Sequence, residues 1–304
     1  MVEPQEDPAA PAAAVRTLAA VGRSLSTTLE MIKFSHTVFA LPFALLSAVL
    51  AAHGLPSLST VLKILLAMIG ARSAAMAHNR LADRHIDGAN PRTAGRALPA
   101  GALSVTFVRL FLAASVVLFL AAAASLNRAT LLLSPVALAL LFVYSYTKRF
   151  TWLSHAVLGL CLALAPIGAW IAVTGSLAVL PIVLGAAVLL WTAGFDILYA
   201  LQDEAHDRRV GLQSLPARWG PRAALSVSAI LHAGMLALLV VAWRLCGGGV
   251  IFAAGILATA AALAYQHAIV KPNDLSRIDA AFFTANGFVS VALSAFGIAD
   301  VLVK

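Results

Sequence analysis

The chain has 304 residues, 61% of them hydrophobic and only 11% charged, with a mean hydropathy of +0.92, values that exclude an ordinary soluble globular domain. A formal net charge of +8 would point to nucleic acid in a soluble protein; in a membrane protein the cations sort by side of the bilayer instead, so no nucleic acid is expected. Two cysteines, Cys161 in an apolar run and Cys246 near a loop, exclude a disulfide framework and a thiolate metal site.

Residues 1–30 carry Glu3, Glu6, Asp7 and several Ala and Pro. They lack the basic segment and apolar core of a signal peptide and read as a disordered or weakly helical cytoplasmic lead-in. Residues 31–304 read as one transmembrane domain. Apolar runs long enough to cross a hydrocarbon core of roughly 30 Å begin near residues 31, 60, 104, 129, 152, 177, 222, 249 and 279. The expectation is an all-α, polytopic membrane protein with nine transmembrane helices. With the N-terminus inside, sixteen Lys and Arg fall on the inner side and four, Lys63, Arg128, Arg244 and Lys304, on the outer side. That asymmetry predicts the orientation, in a bacterial cytoplasmic (inner) membrane.

The first span opens on Lys33–Phe43, where polar groups enter early and Pro42 predicts a kink. The second carries Arg72 at mid-depth, which reads either as a bridge to a neighbouring helix or as a group facing a cavity. It ends in a dense polar run, Ala77–Asp87. On a helix Asn79, Asp83 and Asp87 fall on one face. The next turn brings Arg92 and Arg96, which read either as phosphate ligands or as a positive-inside loop, with Arg96 favoured as a ligand. Span four ends in Tyr144-Ser145-Tyr146-Thr147-Lys148-Arg149, an interfacial anchor or a second set of substrate contacts. His155 in span five reads as a hydrogen-bonded helix contact. Span six ends in Asp196, Tyr199, Gln202, Asp203 and Asp207, of which Asp196, Tyr199, Asp203 and Asp207 are predicted to share a face. Spans seven and eight read as packing walls, and Asn286 in span nine as a helix–helix contact.

The carboxylate couples Asp83/Asp87 and Asp203/Asp207 are 120 residues apart, position for position, with four spans between them. Both therefore face the inner side. Four acids on two helix ends repel unless a cation lies between them, and Mg²⁺ accepts a few carboxylates together with phosphate oxygens of a substrate. A diphosphate held through Mg²⁺ at a membrane surface is the expectation. The repeated plan of span, acid couple and basic turn suggests two pseudo-symmetric halves around a central cavity.

The pairing of Asn79-x-x-x-Asp83-x-x-x-Asp87 with Asp196-x-x-Tyr199-x-x-Gln202-Asp203-x-x-x-Asp207 resembles the two aspartate-rich motifs of the UbiA superfamily of intramembrane prenyltransferases. The Lys33–Phe43 stretch, the Arg92–Gly101 turn and the Tyr144–His155 segment are similar to its 4-hydroxybenzoate polyprenyltransferase branch. The resemblance implies Mg²⁺-dependent transfer of a polyprenyl group to an aromatic hydroxy-carboxylate in ubiquinone or menaquinone biosynthesis. Its substrates would be polyprenyl diphosphate and an aromatic acceptor within membrane lipid, and no obligate protein partner is implied. It makes Asp83, Asp87, Asp203 and Asp207 metal ligands, assisted by Asn79. Arg96, Lys148 and Arg92 would hold diphosphate oxygens, and Arg149 would sit near the acceptor carboxylate. Arg72, Tyr144, Asp196 and Gln202 complete the expected substrate contacts, and Tyr199 is expected to orient the diphosphate or face a developing cation. Arg80 stands where several of these enzymes carry an acid. That feature and the Lys271–Arg277 loop are similar to the branch associated with menaquinone made through futalosine, whose acceptor would be a dihydroxynaphthoate.

The rival of a different class is a cation-coupled transporter, which requires acids at mid-membrane and a polar path to the far side. Asp300 is the only acid near the outer face.

Overall fold

Long apolar runs with Ser or Asn at their entries become helices. In this computed structural model, which describes residues 26–32 and 39–304, the only β-pairing among the described residues is an isolated bridge between Lys271 and Asp274. The order is α1 (Leu41–Ala52), α2 (Leu58–Ala89), α3 (Val105–Leu126), α4 (Arg128–Thr147), α5 (Ser154–Thr174) and α6 (Val179–Ala200). A 3₁₀ turn (Leu201–Asp203) leads to the short α7 (Glu204–Val210), followed by α8 (Leu215–Leu245), α9 (Val250–Ile269), a π-helical turn (Ala280–Ala285) and α10 (Asn286–Val303). Ser57, Ser104 and Ser214 each accept a backbone N–H three residues on, starting α2, α3 and α8. Asn127 and Thr130 form a reciprocal capping box that turns the chain into α4.

Among the described residues, eight helical stretches are long and apolar enough to cross a membrane, which makes this an integral membrane protein. The expected first span is represented by the twelve-residue α1. Residues 33–38 of the Lys33–Phe43 stretch, and residues 1–25 of the expected lead-in, lie outside the described residues. Span seven was expected to begin near residue 222; helix α8 begins at Leu215 but breaks at Gly220 (φ 82°), directly before Pro221. A residue with a Cβ rarely adopts that φ.

Large apolar side chains point outward, as lipid demands: Leu110, Ile230 and Leu257 are all exposed. Small residues set the helix spacing. A Cβ on Gly70 would come within 2.7 Å of the Phe119 backbone nitrogen, so α2 and α3 approach closely there. A Cβ on Gly159 would overlap the Leu189 carbonyl, which ties α5 to α6. The interior is held by aromatic packing of Phe43, Trp191 and Phe195, with centroids 5.3 and 5.0 Å apart along that chain. Polar side chains pin the last span: Trp191 Nε1 donates to Asn286 Oδ1 at 3.0 Å. Gln266 Nε2 and Asn286 Nδ2 donate to the carbonyls of Ala281 (2.7 Å) and Phe282 (2.9 Å). These are backbone acceptors of the π turn, which sets Phe282 against the central cavity.

Helix α2, at 32 residues, is about 48 Å long. It exceeds the hydrocarbon thickness, so its last turns, carrying Asn79 to Asp87, extend beyond the apolar layer at one end of the bundle.

Candidate active site

A cavity of about 970 Å³ runs through the bundle between α2, α4, α5 and α6 and is roofed by the loops that follow α2 and α7. Its wall along α4 extends from Thr130 to Ser145 and on to Lys148, a rise of about 27 Å. Most of that length is apolar, with Met68, Phe119, Leu133, Leu141 and Leu158 among its lining residues. The end under those loops is densely charged.

At that end every acid of the first motif meets a cation from another element. Asp83, 1% exposed, accepts from Lys148 Nζ at 2.6 Å, Arg149 Nη2 at 3.3 Å and Asn79 Nδ2 at 3.3 Å. Asp87, 3% exposed, accepts from Arg96 Nη1 at 2.7 Å through Oδ1. Its Oδ2 has no hydrogen-bond partner, and the Arg80 guanidinium lies 3.8 Å from it.

The second motif closes the other side. Arg92, from the loop after α2, binds Asp203 with two parallel bonds, Nε to Oδ1 at 2.8 Å and Nη2 to Oδ2 at 2.5 Å, a geometry suited to arginine and carboxylate. Burial works to lower the Arg92 pKa, but the bonds and the charge of Asp203 override it and hold the guanidinium above its ordinary value. Asn90 also donates to Asp203, at 3.4 Å. The Lys148 carbonyl accepts from Gln213 N–H at 2.7 Å, so the loop after α4 and the loop before α8 are joined. Tyr199 packs on Phe282 with centroids 4.0 Å apart. One turn before it, Asp196 accepts from His155 Nδ1 at 2.7 Å. The two acidic motifs thus share one cavity at one end of the bundle.

Residues 40–288 match the model of the UbiA prenyltransferase family. The chain belongs to the UbiA prenyltransferase family. It is 33% identical over 249 residues to a 4-hydroxybenzoate octaprenyltransferase of Vibrio cholerae, covering 81% of this chain and 86% of that protein. It is 32% identical to the enzyme of the same name from Aliivibrio fischeri, over 81% and 86% of the two chains. Among solved structures it is similar to an apo UbiA homolog from Aeropyrum pernix, with a TM-score of 0.80, 36% identity, and 88% and 98% coverage of the two chains. A UbiA homolog from Archaeoglobus fulgidus bound to GPP and Mg²⁺ aligns with a TM-score of 0.69 and 25% identity, over 90% of this chain and 99% of that one. The chain is therefore a prenyltransferase, and the transporter reading falls.

In this UbiA enzyme the cavity wall includes Arg72, Asn79, Asp83, Asp87, Arg92, Arg96, Tyr144, Lys148, Asp196, Tyr199, Asp203 and Asp207. Two expected contacts stand elsewhere. Gln202 is not part of the wall; its amide donates to the Tyr199 carbonyl at 3.4 Å within its own turn, because the 3₁₀ turn shifts the angular register after Ala200. Arg149 is also off the wall, bound to the Ala82 carbonyl at 2.7 Å and to Asp83 at the rim. The same 3₁₀ turn means that Asp196, Tyr199, Asp203 and Asp207 share the cavity without lying on one continuous helix face.

Sequence reasoning passed over Asn90, His206, Thr192 and Phe282, all of which line the cavity, and gave Arg80 no site role although it is a buried cation beside Asp87. The spacing of Arg80 next to Asn79 was the available signal. His206 stands between two acids, and its Nε2 is buried without a hydrogen-bond partner.

No three His, Cys, Asp or Glu among the described residues come close enough to hold a metal on protein ligands alone. The donor set still suits Mg²⁺: all-oxygen carboxylates, one of them with an unpartnered oxygen, facing space for an anionic substrate. Such an ion takes one or two carboxylates per site and completes its shell with water and phosphate oxygens.

Proposed function

We propose that this UbiA enzyme transfers the polyprenyl group of a polyprenyl diphosphate to 4-hydroxybenzoate, in ubiquinone biosynthesis, with Mg²⁺ bound by Asp83, Asp87, Asp203 and Asp207. The observation that carries the reading is the alternation of acids and bases at the mouth of a long apolar cavity. Lys148, Arg96 and Arg92 are each paired with one of those aspartates. When bound, Mg²⁺ neutralises charge on the diphosphate leaving group. With the metal in place, Asp83, Asp87, Asp203 and Asp207 would hold it, and Lys148, Arg92 and Arg96 would be free to bind the diphosphate oxygens. The cations thus serve both states, and neither would leave the buried Asp83 and Asp87 unbalanced.

Departure of the diphosphate leaves an allylic carbocation. Tyr199, with its ring face stacked against Phe282, stands next to the second acidic motif and offers π density to that cation. The apolar wall along α4 and α5 accommodates the polyprenyl tail and excludes water, which would otherwise capture the cation. Arg72, lining the cavity deeper in α2, is placed to receive the acceptor carboxylate. The relatives named for 4-hydroxybenzoate octaprenyl transfer support this acceptor.

A second reading keeps the reaction and changes the acceptor to a dihydroxynaphthoate; the buried Arg80, in place of an acid, favours it. Membranes carrying the protein, given one polyprenyl diphosphate and both acceptors in competition, separate the two. Prenylated 4-hydroxybenzoate as the main product is expected. A dominant naphthoate product selects the second reading, and no prenylated aromatic from either would overturn both. The asymmetry of the basic loops supports an active site at the cytoplasmic face of the inner membrane.

A further inference from the structure

Asp196 faces the cavity with a histidine, rather than a Lys or Arg, as its partner. Its partner is His155, whose side chain is 7% exposed, whereas that of Asp196 is 23% exposed and opens on the cavity. His155 is gripped from both sides. Its Nε2 accepts the backbone N–H of Leu215 at 3.3 Å, one of the donors that the first turn of α8 leaves without an intrahelical partner. A ring nitrogen that accepts carries no proton, so the neutral ring bears its proton on Nδ1 and donates it to Asp196 Oδ2 at 2.7 Å. The imidazole therefore cannot turn, and one carboxylate oxygen is occupied while the other stays open. One turn deeper on the same face of α6, the Thr192 hydroxyl is fully buried, lines the cavity and has no hydrogen-bond partner. An unsatisfied buried hydroxyl costs about 1–3 kcal/mol. This stretch of wall is made for a polar ring rather than for a prenyl tail.

Resting on the aromatic-acceptor reading above, we propose that His155 is a positioning residue that fixes Asp196 as the proton acceptor for the acceptor ring. The carbon–oxygen bond of the allylic diphosphate breaks, and the diphosphate leaves with the electron pair. The allylic carbon then bonds to a ring carbon of the acceptor. That ring carbon still carries its hydrogen, and the ring has lost aromaticity. Its proton passes to the free oxygen of Asp196, and the C–H electron pair restores the aromatic ring. No oxidant or reductant is required. A base oriented by a third group is the arrangement used wherever a proton must leave in one direction.

The test is steady-state turnover with the acceptor protonated or deuterated on its ring, in wild type, Asp196→Asn, His155→Phe and His155→Gln, with binding of the Mg²⁺–diphosphate substrate measured alongside. Asp196→Asn should lower kcat about 100-fold or more and expose a primary isotope effect absent from wild type, with diphosphate binding unchanged. His155→Phe should move in the same direction. His155→Gln, whose amide can donate to Asp196 and accept from Leu215, should recover most of the rate even if His155→Phe is poorly folded. Loss of turnover in Asp196→Asn without an isotope effect, or a His155→Gln variant no better than His155→Phe, overturns the proposal. If wild type itself prenylates no aromatic ring, the reading beneath it fails instead.

Discussion

Two buried aspartates in this chain have opposite jobs, and replacing each by asparagine separates them. Asp83 is held by Lys148 at 2.6 Å and Arg149 at 3.3 Å, cations whose side chains are 33% and 38% exposed. Pairings that open to water contribute about 0–1 kcal/mol each, so Asp83→Asn should cost the fold about 2 kcal/mol at most. Its cost to the reaction is larger. Removing one carboxylate from a site that neutralises a departing diphosphate forfeits several kcal/mol of transition-state stabilisation, and about 4 kcal/mol is roughly a thousandfold in rate. Asp300 lies near the opposite end of the bundle. It accepts from the N–H groups of Gly249 (2.8 Å) and Phe252 (3.2 Å) and from Lys304 (2.7 Å), starting α9 from a different helix. Asp300→Asn should cost about 1.5–3 kcal/mol of stability and leave kcat unchanged. Both variants are assayed in liposomes for prenylated product and in detergent for thermal unfolding. Asp83→Asn within tenfold of wild-type turnover, or a loss of turnover matched by a comparable loss of stability, would refute the division of roles.

Chelation by EDTA should stop product formation and added Mg²⁺ restore it; turnover that continues in chelator contradicts the metal assignment. Arg92→Ala should raise KM for the diphosphate substrate at least tenfold, because a charge-assisted bidentate contact is lost; an unchanged KM, read from initial rates, removes Arg92 from the diphosphate site. Asn286→Leu leaves Trp191 Nε1 and Gln266 without their shared acceptor, and thermal unfolding should register a loss of about 2 kcal/mol. Gly159→Leu places a side chain against the Leu189 carbonyl and should abolish a monodisperse folded species in size-exclusion chromatography.

The first acidic motif was legible because its four-residue spacing lies on one uninterrupted helix, where sequence distance translates directly into a face. The second was legible in its residues but not in its geometry. A 3₁₀ turn at Leu201–Asp203 changes the advance per residue, and nothing in the spacing of Asp196, Tyr199 and Asp203 announces it. Gly220-Pro221 carried a signal for its break, since proline cannot continue the hydrogen-bond ladder, but the expected start of span seven near residue 222 passed over the turn of helix before it. Which cation meets which acid was not readable. Lys148 and Asp83 are 65 residues apart and Arg92 and Asp203 are 111 apart, and such pairs follow from packing. The same holds for His155, read correctly as a helix contact but with its partner Asp196, 41 residues on, out of view. Arg149 shows the converse limit: a cation adjacent to Lys148 in sequence turns to the rim while its neighbour turns inward.

The central claim is that a prenyl diphosphate is clasped by both acidic motifs through divalent metal. A crystal structure grown with Mn²⁺ and an unreactive polyprenyl diphosphate analogue tests it most directly, since Mn²⁺ can be located by its anomalous scattering. The expected map shows Mn²⁺ at about 2.1 Å from carboxylate oxygens of both the Asp83/Asp87 and the Asp203/Asp207 couples, with analogue phosphate oxygens bridging them. Mn²⁺ on only one couple, or a diphosphate group seated away from Lys148 and Arg92, would contradict it.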